Sequence, residues 1–111
     1  PIAKDCSFYS KCVESSLTCG PDGYALGYGG KYCQKFKDNE PKFSTGGQEW
    51  IWSVMSCLQD KLIPLVQGQM TLTCPGLRSF AYDTHPPCYT QPGKSICSLP
   101  PQDWLRLLVI I

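Results

Sequence analysis

The sequence predicts an all-α protein, a small disulfide-stapled helical bundle with four or five short helices in a single cystine-rich domain over residues 1–111. Three observations lead there. Eight cysteines in 111 residues, with no Cys-Cys and no C-x-x-C, read as a disulfide framework. Apolar side chains recur at helical spacing in the middle of the chain, and helix-start signals punctuate the rest. Strict apolar–polar alternation never persists beyond a few residues, which leaves strands minor at most.

Asp5 can cap a first helix over roughly residues 6–16, with Phe8, Tyr9, Cys12 and Val13 available for burial. Cys6 and Cys12 point in different directions on such a helix and need different partners. Gly20-Pro21-Asp22-Gly23 is a turn signal, and the glycine-rich stretch Tyr24-Ala25-Leu26-Gly27-Tyr28-Gly29-Gly30 reads as loop. A second helix begins near Gly30, carries Tyr32, Cys33 and Phe36, and ends before Asp38-Asn39-Glu40-Pro41.

The third helix is the best defined. Ser44 or Thr45 serves as N-cap, with Gln48 or Glu49 in the first turn. Ile51, Val54, Met55, Leu58 and Leu62 fall within about 80° of one another at helical spacing, opposite Glu49, Ser53, Ser56 and Asp60. Pro64 ends or kinks it. Cys57 sits at the flank of the apolar face beside Trp50, where a bridge to a neighbouring helix fits. Trp52 lies on the other flank and is expected to be partly exposed.

Pro75 suits the first position of a fourth helix, capped by Thr73 or Cys74 and carrying Leu77, Phe80 and Ala81. Asp83-Thr84-His85-Pro86-Pro87 then breaks the pattern, and Pro92-Gly93 marks a turn. Ser98-Leu99-Pro100-Pro101-Gln102-Asp103 is a helix start leading into Trp104-Leu105-Arg106-Leu107-Leu108. The run Leu107 to Ile111 is apolar around its whole circumference, so it is either buried in the core or docks on a partner.

Composition excludes several functions. Ten lysines and arginines against nine acids leave a formal charge of +1, which argues against a nucleic-acid binder. The longest apolar run, Leu107 to Ile111, is too short to span a membrane. Structural zinc sites use closely spaced ligand pairs and often histidine, whereas the one histidine here is His85. No metal and no cofactor is therefore expected. The remaining use of the cysteines is disulfides, and hence secretion to the extracellular space. The opening Pro1-Ile2-Ala3-Lys4-Asp5 has none of the features of a signal peptide and reads as a mature chain. No N-x-S/T sequon occurs, since Asn39 is followed by Glu40-Pro41.

Enzymatic chemistry is not expected. His85 with Asp83 is the only acid–base pair to consider, no nucleophile motif accompanies it, and a histidine before two prolines is more often a turn residue. The His-Asp step and adjacent cysteines of secreted phospholipases are absent, as are the Cys-Cys and Cys-x-Cys of plant lipid-transfer proteins. Lys31, Lys35, Lys37 and Lys42 form a basic stretch that is either a solvated face or a surface for an acidic receptor, glycan or phosphate. Tyr24, Tyr28 and Tyr32, spaced by four, either pack on a loop or form a binding surface. Lys31, Lys35, Lys37, Tyr24, Tyr28 and Trp52 are thus the candidate partner-binding residues. Eight cysteines admit 105 pairings, and residue spacing does not choose among them.

The cysteine order and its intervening residues run Cys12-Val13-Glu14, Cys19-Gly20-Pro21-Asp22-Gly23, Tyr32-Cys33-Gln34-Lys35-Phe36 and Lys42-Phe43-Ser44-Thr45-Gly46-Gly47. Cys57, Cys74, Cys88-Tyr89 and Cys97-Ser98 follow. From Cys6 to about Trp104 this resembles the N-terminal half of the stanniocalcins, a family of secreted helical glycoprotein hormones. The resemblance implies bridges Cys6–Cys33, Cys19–Cys74 and Cys57–Cys88. The family positions matching Cys12 and Cys97 pair outside the matching region. Here those two are left over, and a Cys12–Cys97 bridge would satisfy every cysteine. The chain departs from the family in lacking the glycosylation site before Cys19, where it reads Glu14-Ser15-Ser16-Leu17-Thr18. It also lacks the family's C-terminal half with its dimer-forming cysteine, so no covalent dimer is expected.

Three functions remain. The first is a secreted, non-enzymatic ligand, hormone-like or otherwise signalling, that binds a receptor or other extracellular protein. Mineral-homeostasis signalling is implied only by the resemblance. The second is a helical disulfide toxin or defence protein acting on a channel or membrane, which would cluster Lys31, Lys35, Lys37 and Trp52 on one face. The third is a carrier of small apolar ligands, which needs a cavity lined by residues such as Trp50, Met55 and Leu62. Membrane contact is not implied by any of these residues.

Overall fold

A computed structural model describes residues 1–91, 93 and 95–111. Among them the chain is mostly helical and contains no strand. The expected all-α, disulfide-stapled bundle is present. In chain order the helices are α1 (Glu14–Ser16), α2 (Gly30–Asn39), α3 (Thr45–Asp60), α4 (Ile63–Val66), α5 (Cys74–Thr90) and α6 (Pro101–Ile110). Two π-helical turns, Tyr9–Val13 and Ala25–Gly29, run directly into α1 and α2. Short 3-10 turns at Glu40–Lys42 and Ile96–Ser98 precede α3 and α6.

The helix-start signals act as their chemistry dictates. Asp5 Oδ1 accepts the Ser7 amide at 2.7 Å at the head of the first helical segment. Ser44 caps α3, its Oγ accepting the Gly47 amide at 3.0 Å. Thr73 caps α5 through the Gly76 amide at 3.0 Å, with Pro75 in the first turn. The predicted apolar face of α3 is the core face. Ile51, Val54, Met55 and Leu62 are buried with Trp50 against Val13, Leu77, Ala81 and Leu107.

Three bridges staple the bundle: Cys6–Cys33, Cys19–Cys74 and Cys57–Cys88, with Cα–Cα separations of 5.8, 5.7 and 5.6 Å. The fourth expected bridge does not form, for Cys12 and Cys97 are both unbonded. The fold sends their segments to different neighbours. Cys12 lies in the π turn that packs on Ala25–Gly29 and on α4, while Cys97 lies in the 3-10 turn that packs on α5. A disulfide needs the two Cα atoms within about 7 Å.

Four local expectations are corrected. The glycine-rich stretch is helical rather than loop, because its glycines are where the backbone meets other groups closely. A Cβ on Gly29 would stand 2.6 Å from the Tyr9 ring, and one on Gly27 would stand 2.8 Å from the Pro21 carbonyl oxygen. Second, α2 continues through Asp38 and Asn39, and Asn39 Nδ2 donates to Lys35 O at 2.7 Å. Third, α3 ends at Asp60, and Pro64 lies in the first turn of the separate helix α4. Fourth, α5 does not break at Pro86 and Pro87 but runs on to Thr90. Of the expected Pro92-Gly93 turn, Pro92 lies outside the described residues, and Gly93 has φ +63°.

The last helix divides the two fates open to it. Leu107 and Ile110 are buried, whereas Leu105, Leu108, Val109 and Ile111 are exposed. Its inner face is fixed by Asp103, fully buried, whose Oδ1 accepts the Ser44 amide at 2.9 Å and whose Oδ2 accepts the Ser44 hydroxyl. Lys35 Nζ donates to Ile110 O at 3.2 Å and ties the far end to α2.

Candidate functional site

The feature with the geometry of a site is an aromatic cleft of about 300 Å³ between α2, α3 and α5. Its floor is Tyr9, Tyr24, Trp50, Ile51, Val54 and Met55, all buried. Tyr28, Tyr32, Phe36, Leu58, Tyr82, His85 and Tyr89 line the remaining walls, with Ile111 at the edge. That volume lies at the lower end of the roughly 300–1,000 Å³ typical of small-molecule pockets.

Two helical rows build the aromatic walls. Tyr24, Tyr28 and Tyr32 repeat every four residues, and the helical course of residues 24–32 sets them on one side. Tyr82, His85 and Tyr89 stand three and four apart along α5 and share a face in the same way. The rows meet edge to face: Tyr24 with Tyr82 at 6.1 Å and Tyr28 with Tyr82 at 6.2 Å. Tyr89 packs on Trp50 at 5.5 Å, and Trp50 Nε1 donates to Tyr89 O at 3.0 Å. Such ring pairs add about 0.5–1.5 kcal/mol each beyond area burial, so the walls are stiff.

The interior is apolar and neutral. Burial raises the Tyr9, Tyr24 and Tyr89 phenols above the ordinary tyrosine value, so all three stay protonated well past neutrality. Among the described residues no Asp or Glu side chain lines the cleft. The positive groups lie at its rim. The Arg78 guanidinium sits 4.7 Å over the Tyr28 ring and 5.5 Å over the Tyr82 ring. It also donates to both hydroxyls, Nη2 to Tyr28 at 3.2 Å and Nε to Tyr82 at 3.3 Å. The Tyr82 bond is the main reason its pKa is raised further. Lys35 and Lys31 stand 5.4 and 5.8 Å from the Tyr32 ring.

Of the residues singled out from sequence, Tyr24 and Tyr28 line the cleft, and Lys31 and Lys35 flank it through Tyr32. Lys37 is exposed near the end of α2, with its charge felt at Asp5. Trp52 is partly buried outside the cleft and carries Lys4 Nζ at 5.3 Å. The cavity residues expected of a carrier are found in part: Trp50 and Met55 line the cleft, while Leu62 is buried elsewhere in the core. His85 and Asp83 form no acid–base pair. His85 Nδ1 lies 2.8 Å from Ala81 O, and its ring packs edge-on against Tyr82 and Tyr89.

Sequence reading missed Tyr82, Tyr89, Phe36 and Arg78. The signal was present, since Tyr82, His85 and Tyr89 share a face only if the helix passes through Pro86-Pro87. Taking the prolines as a break hid it. Among the described residues no group of three His, Cys, Asp or Glu side chains is placed to hold a metal. A search of family models, of curated proteins and of solved structures returns no match for this chain.

Proposed function

We propose that the chain is a secreted binding protein that holds a small, largely apolar ligand in the aromatic cleft and acts by recognition rather than catalysis. The observation that carries this reading is the cleft itself. A bundle this small ordinarily fills its interior with side chains, and here rings from three helices stand around about 300 Å³ of open space. The three bridges support the oxidising compartment such a role needs, and Cys57–Cys88 ties together the α3 and α5 walls of the cleft. Ligand binding is tested by uptake of an environment-sensitive apolar dye and its displacement by competitors. Val54→Phe fills the floor and is expected to abolish uptake while far-UV circular dichroism and the three bridges stay unchanged. Equal uptake by the wild type and V54F contradicts the reading.

A second reading, recognition of a receptor or other extracellular protein, is favoured by the outer face of α6. Leu105, Leu108 and Val109 are 65–79% exposed there, an apolar face of the kind that interfaces cover. The stanniocalcin-like cysteine order supports the same reading. Leu108→Glu is then expected to remove binding to target cells while leaving dye uptake intact, and unchanged cell binding contradicts it.

A further inference from the structure

We infer that the ligand of the cleft is an amphipathic anion, an apolar body ending in a carboxylate or similar acidic head, with the head at Arg78. This rests on the reading of the cleft as a binding site and adds the ligand's charge. Aromatic walls alone would equally suit a quaternary ammonium, held by cation–π attraction. Here three of the lining rings already carry a protein cation. Arg78 covers Tyr28 and Tyr82, and Lys31 and Lys35 cover Tyr32, so a cationic ligand meets three like charges. Among the described lining residues no Asp or Glu side chain offsets them.

An anionic head meets the opposite situation. Two of the five Arg78 N–H donors are used on the tyrosine hydroxyls, which fix the plane of the guanidinium. The side chain is exposed, and its remaining donors are open to a planar acidic group. Behind it, Tyr9, Tyr24 and Tyr89 present only neutral, protonated phenols, a surface suited to hydrocarbon. The net charge of the whole chain is only +1, so this preference comes from placement rather than from overall basicity.

The test is isothermal titration of the intact, oxidised protein with decanoate, decanol and decylamine, which share one chain and differ in the head. Decanoate is expected to bind about two- to fivefold more tightly than decanol, the size of an exposed ion pair, and decylamine most weakly. Arg78→Gln, at an exposed position that does not threaten folding, is expected to bring decanoate down to decanol, and Arg78→Lys to restore part of the difference. Equal binding of all three overturns the anion assignment and leaves the cleft as an apolar site. Binding of none overturns the cleft reading itself. Capture on phosphatidylglycerol vesicles without binding of monomeric decanoate also overturns the assignment, since it makes the anion a membrane surface.

Discussion

Asp103 shows how one side chain can join two elements distant in sequence. It receives both the amide and the hydroxyl of Ser44 from inside the protein, at the position where α3 begins. The helix N-terminus is the end that favours negative charge, so α6 is fastened to α3 by a charge–dipole contact as well as by Leu107 and Ile110. This pairing was not legible beforehand. Ser44 as a cap and Asp103 in a helix start were both read from local pattern, but nothing local says that one completes the other. Gly47 is part of the same device. An alanine in a helix ordinarily gains about 1 kcal/mol over glycine, yet here its Cβ would collide with the Asp103 carboxylate. Gly47→Ala is therefore expected to destabilise by about 1–3 kcal/mol, the range of core overpacking. Thermal denaturation of G47A, D103A and the double variant checks this. In the D103A background the alanine should cost much less, and strict additivity would contradict the contact.

At the scale of the element, α5 is the informative case. Pro86 and Pro87 remove two backbone donors and leave the carbonyls of Tyr82 and Asp83 without their usual partners. Sequence alone makes this a break. The helix persists because its last turn is held from outside and patched from within. Cys88 is bridged to Cys57, Trp50 Nε1 takes the Tyr89 carbonyl, and Thr90 Oγ1 donates to Pro86 O at 3.0 Å. Tertiary anchoring thus overrides a local breaker, which is why the boundary of α5 and the Tyr82–His85–Tyr89 row escaped the sequence. By contrast the Ser44 cap of α3 and its buried Ile51, Val54 and Met55 were legible from local pattern, although its end at Asp60 was not. The bridge closes a separation of 31 residues, and replacing Cys57 and Cys88 by alanine is expected to cost about 3–4 kcal/mol. Hydrogen exchange should then rise first at positions 88–90, the last turn of α5. A cost below about 1 kcal/mol, or uniform loss of protection, would mean that packing alone holds the turn.

Across the whole molecule, the disulfide-rich character and the helical class were readable because each depends on composition or short-range periodicity. The cleft was not, since it arises where the Tyr24 row, the α5 row and the floor of α3 converge. Tyr24, Tyr28, Trp50 and Met55 were marked from the sequence, but as separate features: a loop surface, a helix flank and a cavity wall. What united them was the helical course of the glycine-rich stretch, set by close approach to Tyr9 rather than by propensity. The most direct test of a binding cleft is an isotope-filtered NOE spectrum of the labelled protein with saturating decanoate. Contacts from the ligand chain to the rings of Tyr24, Trp50 and Tyr89 and to the Met55 methyl are the expected result. Contacts confined to Leu105, Leu108 and Val109 on the outer face of α6 would place the apolar ligand outside the cleft and contradict the account.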